Sequence, residues 1–123
     1  MKQILIVEDK ATSRELLRTV LEKQGYTVLE AQDGEEALRQ LRRATPDLVL
    51  LDLQIPVHNG YHVLREIRSD NRLTAIPVVA LTASAMQGDR EKALAAGFTG
   101  YIAKPVSLTQ LRDEVNRLLG TPT

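Results

Sequence analysis

"LVLLDLQIP", residues 48–56, runs four apolar residues, Leu48 to Leu51, straight into a carboxylate, Asp52, with Ile55 and Pro56 just beyond. The run is continuous rather than alternating. A strand that is apolar at every position is buried on both faces, as in a parallel sheet covered by helices. An unpaired carboxylate in such a layer would be costly and would sooner shift its pKa than stay ionised. Asp52 is therefore expected at the end of the strand, either capping something or doing chemistry.

Outward from this run the same pattern repeats. Residues 4–7, 26–31, 76–81 and 101–103 are the other short apolar or β-prone runs. Helical spacing fills the gaps. Residues 11–24 carry Leu16, Leu17, Val20 and Leu21 on one expected face, and residues 34–43 carry Ala37, Leu38 and Leu41. Residues 61–69 carry Val63, Leu64 and Ile67, and further helices are predicted over 84–96 and 108–119. Gly25 and Gly97 stand where helices stop. Gly88 weakens the first turns of the fourth helix. Ser107 and Gln110 have capping-box spacing, and Asn59-Gly60 reads as a turn. Five βα units with short connections predict a doubly wound α/β domain. Right-handed crossovers restrict the topology, and a five-stranded parallel sheet in the order 2-1-3-4-5 with five helices is expected.

Composition narrows the function. The 123 residues suit one domain, expected to span 1–123, and need no staple to fold. Lys plus Arg is 16 and Asp plus Glu is 16, a balance that recruits neither nucleic acid nor an anionic membrane. One Phe, three Tyr and no Trp make a base-stacking platform a poor expectation. Without Cys there is neither a disulfide framework nor a thiolate metal site. No N-terminal apolar stretch reads as a signal peptide or membrane span, so a soluble, cytoplasmic protein, monomeric or weakly dimeric, is expected. A chain opening at Met1 directly on a strand reads as free-standing or N-terminal in a larger protein.

The polar residues collect at the strand ends: Glu8-Asp9 after the first, Asp52 after the third, Thr82 after the fourth and Lys104-Pro105 after the fifth. In an open parallel sheet, ligands bind outside the carboxyl ends of the strands where strand order reverses, here between strands one and three. Glu8, Asp9 and Asp52 are expected to meet there, with Thr82 and Lys104 approaching from the other side. Three close carboxylates repel, and a bound cation relieves them. Hard oxygen ligands with room for water favour Mg²⁺ over Zn²⁺. A carboxylate beside a divalent cation, a hydroxyl and an ammonium is a place for a phosphoryl group, with Asp52 placed to attack phosphorus.

The pieces "ILIVED" at 4–9, "PDLVLLDLQIP" at 46–56, "NG" at 59–60, "IPVVALTA" at 76–83, "AAGFTGYIAKP" at 95–105 and "SLTQL" at 107–111 cover essentially the whole chain. In that order they resemble the receiver domain of a two-component response regulator, in particular a chemotaxis-regulator-like single receiver of flavodoxin-like fold. The resemblance implies that Asp52 is the phosphoacceptor, and that Glu8 and Asp9 are Mg²⁺ acids joined by Asp52 and the Gln54 backbone carbonyl. It implies that Lys104 contacts the phosphoryl group across a cis bond to Pro105, and that Thr82 and Tyr101 are a switch pair. It further implies a phosphoryl donor that is a histidine kinase or histidine phosphotransfer protein, and a partner-binding face of helix four, strand five and helix five. Such a protein promotes its own phosphorylation and dephosphorylation without turning over an external substrate. Two departures, Ile55 before Pro56 and Asn59 before Gly60, keep the turn and packing chemistry. Gln54 and Ser84 stand where the family tunes phosphoryl lifetime.

Taken singly, each residue has a plainer explanation. Glu8-Asp9 could complement a helix start, Asp52 could be a turn residue, and Thr82 could cap a helix. None of these explains why the polar residues gather at one edge. His58 and His62 are four apart but interrupted by Asn59-Gly60, so they read as surface residues. Arg39, Arg42 and Arg43, and likewise Arg65, Arg68 and Arg72, read as solvated helix faces, and Met86 as core or partner-facing. Rival functions fare worse. A nucleotide or flavin binder would cradle phosphate after the first strand, where "EDKATS" is acidic. An aspartyl-nucleophile hydrolase would need an acid where Gln54 stands. A phosphorylation-independent docking module of the same fold is the alternative, and the full set of site residues argues against it.

Overall fold

The computed structural model describes residues 2–56, 59–83 and 87–120. The element order is β1 (Gln3–Val7), α1 (Ala11–Lys23), β2 (Thr27–Ala31), α2 (Gly34–Arg43), β3 (Leu48–Asp52), α3 (Gly60–Ser69), β4 (Val78–Thr82), α4 (Gln87–Ala96), β5 (Gly100–Ala103) and α5 (Leu108–Leu119). All strand pairings are parallel, in the order β2-β1-β3-β4-β5. This is the flavodoxin-like topology expected from the sequence.

β3 occupies the centre because both of its faces are apolar. Val49 and Leu51 join Leu5, Val7, Val78 and Ala80 on one face, under α2, α3 and α4. Leu48 and Leu50 join Ile4, Ile6, Val79, Leu81 and Ile102 on the other, under α1 and α5. Each fully buried Leu or Ile contributes roughly 1.5–3 kcal/mol relative to exposure. The ladder register sets Asp52 beside Leu81 and Thr82 beside Ala103, so the polar residues end up at one edge.

Helix ends follow local chemistry. The side chains of Asp33, Asn59 and Ser107 cap α2, α3 and α5 by accepting from the N–H groups of Glu36, His62 and Gln110. Gly25 and Gly97 take φ of 95° and 115° after α1 and α4, and their N–H groups bond back to Glu22 and Leu94.

Several expectations shift. Leu16 is not on the buried stripe of α1: it is 54 % exposed, while Leu17 and Leu21 carry the packing and Val20 is half-buried. Adjacent helical residues diverge by about 100°, and the stripe passes on the far side of Leu17. α1 closes at Lys23, β2 opens at Thr27, α3 opens at Gly60 and β5 at Gly100. β4 opens at Val78 rather than residue 76. Pro77 has no N–H for the ladder, and Ile76 is buried before the strand, with its N–H on Leu73 O. The predicted start of α4 at 84–86, with Ser84 and Met86, lies outside the described residues, as does His58.

Arg68 and Arg72 are not solvated helix faces. Arg68 is part-buried and donates to Gly97 O (3.1 and 2.8 Å), Ile76 O (2.7 Å), Thr74 O (3.1 Å) and Thr99 Oγ1 (3.2 Å). Arg72 donates to Leu41 O at 2.8 Å, tying the loop after α3 to α2. Carbonyls left unpaired where chain segments converge need donors, and the long guanidinium arms reach them.

Candidate functional site

Three polar or charged side chains are buried among the described residues: Glu8 (0 % exposed), Asp52 and Thr82 (2 % each). All three stand at the carboxyl edge of the sheet. Asp52 is thus more deeply enclosed than a strand-end position alone requires. Glu8 follows β1, where its N–H extends the ladder to Ala31 O and its carbonyl accepts from Arg14 Nη1. The first helical turn after it contains no acid, and the N-cap Lys10 makes no side-chain cap. The plain capping explanation for Glu8-Asp9 therefore has no support here.

Each oxygen of Asp52 is held. Oδ1 accepts from the Gln54 N–H at 2.8 Å, and Oδ2 accepts from Lys104 Nζ at 2.6 Å. The same ammonium reaches Glu8 Oε1 at 2.8 Å. Lys104 therefore bridges the two buried acids instead of only facing them. Its own position is fixed by its N–H on Thr82 O (2.7 Å) and by a cis bond to Pro105.

The electrostatics differ between the two acids. Burial, the Asp52 hydrogen bond and the Asp52 charge push the Glu8 carboxyl up to about 7, against the pull of Lys104. Burial works the same way on Asp52, but hydrogen bonds from Glu8, Lys104 and the Gln54 N–H outweigh it and hold Asp52 below its ordinary value. Burial pulls Lys104 down, and its two carboxylates more than reverse that.

Glu8, Asp9 and Asp52 each bring a carboxylate oxygen within 4.8 Å of the others, with Asp9 exposed. Glu8 Oε2 is buried without a hydrogen-bond partner. An orphaned buried carboxylate oxygen beside two more carboxylates, one open to water, is a donor set that fits a hard, partly hydrated dication. Thr82 ends β4, and Tyr101, on β5, is half-buried against the core.

Sequence reading missed what Gly60 does. The Asn-Gly pair was expected as a turn, but Asn59 caps α3 and Gly60 is its first residue. A Cβ on Gly60 would lie 2.8 Å from Leu53 Cα and 2.9 Å from Asp52 O. The start of α3 therefore packs directly on the backbone that carries Asp52, which only a glycine allows. An N-cap residue before a helical apolar stripe was the available signal.

Comparison with known proteins agrees with this arrangement. Residues 4–116 match the family model of the response regulator receiver domain. The chain is 38 % identical over 119 residues to the polar-differentiation response regulator DivK of Brucella anthropi, covering 97 % of each. The receiver domain of a sensor histidine kinase from Pseudomonas aeruginosa, whose crystal structure has magnesium coordinated in the active-site cleft, is 39 % identical with a TM-score of 0.88, covering 97 % of this chain and 98 % of that one. A chemotaxis response regulator of Vibrio cholerae is 28 % identical with a TM-score of 0.91, covering 97 % and 99 %. No helix among the described residues is long and apolar enough to cross a membrane. With its sheet order, its acid-lined carboxyl edge and these matches, the chain belongs to the response regulator receiver family.

Proposed function

We propose that Asp52 accepts a phosphoryl group from a phosphohistidine donor, a histidine kinase or a histidine phosphotransfer protein. The observation that carries this is the convergence of Glu8, Asp9 and Asp52 oxygens with the Lys104 ammonium on Asp52 Oδ2. Glu8, Asp9, Asp52 and the Gln54 carbonyl would hold Mg²⁺, which when bound supplies positive charge for the phosphoryl oxygens. An Asp52 oxygen attacks phosphorus, the P–N bond to the donor imidazole breaks, and its electron pair returns to the ring nitrogen. The Gln54 N–H orients the attacking carboxylate. Lys104, on the flank of the acids, is placed to donate a hydrogen bond from its ammonium to a phosphoryl oxygen. Dephosphorylation reverses the bond change, with a water oxygen attacking phosphorus and the Asp52 carboxylate leaving. The protein thereby promotes its own phosphorylation and loss of phosphate, and is no turnover enzyme.

A cleft beside the site is where the donor would dock. Exposed Leu16 and half-buried Val106 border a cleft of about 180 Å³ that Glu8 and Lys104 also line. In the switch, the Thr82 hydroxyl turns to the phosphoryl group and Tyr101 moves inward. The face built from α4, β5 and α5 then changes for a partner, the local charge biasing a two-state element.

Incubation with acetyl phosphate and Mg²⁺ is expected to add one hydroxylamine-labile phosphoryl group. Asp52→Asn abolishes it, and so does chelation of Mg²⁺. Undiminished labelling of Asp52→Asn would overturn the assignment and leave the phosphorylation-independent docking module as the reading.

A further inference from the structure

The loop that carries Glu8 and Asp9 leads into a helix without a side-chain cap, since Lys10 makes none. It is held in another way. The Glu8 N–H bonds Ala31 O at 3.0 Å, and the Glu8 carbonyl accepts from Arg14 Nη1 at 2.9 Å. Arg14 lies one turn past Lys10, whose carbonyl its N–H bonds. Helical side chains lean toward the N-terminus, so the long arm of Arg14 points back over the loop. The carbonyl it holds belongs to the planar peptide that joins Glu8 to Asp9. A rotation of that one plane would move both acids.

Arg14 is itself locked from β2. Its Nε donates to Glu30 Oε1 at 3.2 Å, and the other oxygen of Glu30 accepts from Arg18 Nη1. The arrangement follows from two periodicities. Val28 of β2 packs with Leu17 and Leu21 of α1, and side chains alternate along a strand, so Glu30, two residues on, faces the same helix. Arg14 and Arg18 are four apart and share one face of α1. Glu30 and Ala31 are neighbours, so the end of β2 holds the Glu8 amide directly and the Glu8 carbonyl through Arg14. Pairs between partly exposed groups such as Arg14 and Glu30 contribute little to stability, but a forked guanidinium fixes geometry.

We propose that Arg14 is a positioning residue for the acid pair. Held by Glu30, it fixes the peptide plane between Glu8 and Asp9 and so presets the spacing at which their carboxylates share a dication with Asp52; this rests on the Mg²⁺ reading given above. Charge and position act in opposite directions here. A cation close to three acids repels a dication, so Arg14 acting through its charge alone would weaken Mg²⁺ binding. Acting through position, it strengthens binding.

The test titrates Mg²⁺ into the full chain without any phosphoryl donor, followed by the amide resonances of Asp9 and Gln54, in wild type, Arg14→Met and Arg18→Met. Arg14→Met is expected to raise the Mg²⁺ Kd about tenfold. Arg18→Met removes the same charge and a bond to the same Glu30 but leaves the loop untouched, and should change Kd by less than about twofold. Binding by Arg14→Met as tight as wild type, or tighter, would overturn the proposal, and so would equal losses in the two variants. If Arg14→Met does not fold, Glu30→Gln and Glu30→Ala serve. Both remove the same charge, but only the amide keeps an oxygen for Arg14 Nε, so Glu30→Ala must weaken Mg²⁺ binding the more, and equal effects overturn the proposal. A wild type that binds no Mg²⁺ would sink the metal reading before any variant is compared, and the proposal with it. A wild type that binds Mg²⁺ beside an unaffected Arg14→Met sinks the proposal alone.

Discussion

Two cations are enclosed at opposite edges of the same sheet, and they are satisfied in different ways. Lys104, at the carboxyl edge, bridges two buried carboxylates. Arg68, at the amino edge, meets carbonyls and a hydroxyl. The pKa directions record the difference: Lys104 is raised by its acids, and Arg68 is lowered by burial. Arg68 donates into fixed backbone, and its geometry has one solution. Lys104 stands among charges that a dication and a phosphoryl group can rearrange. The amino edge is built to hold and the carboxyl edge to change.

The comparison breaks first at Arg68. Arg68→Ala leaves Gly97 O and Ile76 O without donors, and each stranded buried group costs about 1–3 kcal/mol. The expected loss is about 3 kcal/mol in urea unfolding, the same with Mg²⁺ or with a chelator. A Mg²⁺-dependent loss would mean that the two edges are not independent.

Glycine substitution sharpens the same contrast. Gly60→Ala drives a methyl into Leu53 Cα and Asp52 O, which are backbone and cannot step aside. Overpacking of this kind costs about 2–3 kcal/mol, and labelling of Asp52 should fall with it. At the amino edge, a Cβ on Gly100 meets mainly the carboxylate end of Glu114, a side-chain tip that can step aside at the cost of its exposed pair with Arg117. Gly100→Ala is expected to cost less than about 1 kcal/mol. Equal losses at the two positions would remove the claim that α3 is packed tightly for the sake of Asp52.

Lys104→Met comes next. Without metal it leaves Glu8 and Asp52 facing each other, and breaking a buried pair is costly. Because Lys104 is 23 % exposed, solvent reduces the expected loss to about 2 kcal/mol at pH 7. Mg²⁺ should restore most of it, since a dication can neutralise the same acids. A loss that Mg²⁺ leaves unchanged would exclude Glu8 and Asp52 as a shared metal site.

This contrast was unevenly legible in the sequence. The sheet order and the strand-end acids were readable because continuous apolar runs and their terminal polar residues are local patterns. The role of Lys104 was half readable: its position was expected, but its bridge to both acids depends on its reaching across two intervening strands, β4 and β3, from β5 to the end of β1. Arg68 was unreadable. It sits at helical spacing with Arg65 and Arg72, and its partners, Ile76, Gly97 and Thr99, are backbone or hydroxyl groups with no charge to mark them. Leu16 failed for a related reason, because spacing along α1 shows which residues share a face but not where the sheet meets the helix. The strand-end pattern brought Glu8, Asp9, Asp52, Thr82 and Lys104 together, whereas the Gln54 carbonyl, the cis bond and the pairing of Thr82 with Tyr101 came only from the family resemblance.

The smallest expected effect is a pH dependence confined to the carboxyl edge. In the metal-free protein the Glu8 carboxyl titrates at about 7, against an ordinary value of 4.5. Between those values the folded protein holds a proton that the unfolded chain has released, so stability falls as pH rises from about 5 to 7. Asp52 acts in the opposite sense. Its lowered pKa contributes stability that is present above its ordinary value of 3.8 and is lost as pH falls below it. Metal-free stability should therefore peak near pH 5. Solvent reaching the acids past exposed Asp9 limits the fall on the alkaline side to about 1–2 kcal/mol. Glu8→Gln removes the titrating group and should flatten that side of the profile, whereas Arg68→Ala should lower the whole curve without changing its shape. Urea titrations in chelator at pH 5, 6 and 7 distinguish the two. A Glu8→Gln profile as steep as wild type would place the titrating proton elsewhere, and a flattened Arg68→Ala profile would show that the amino edge also governs the charges around Asp52.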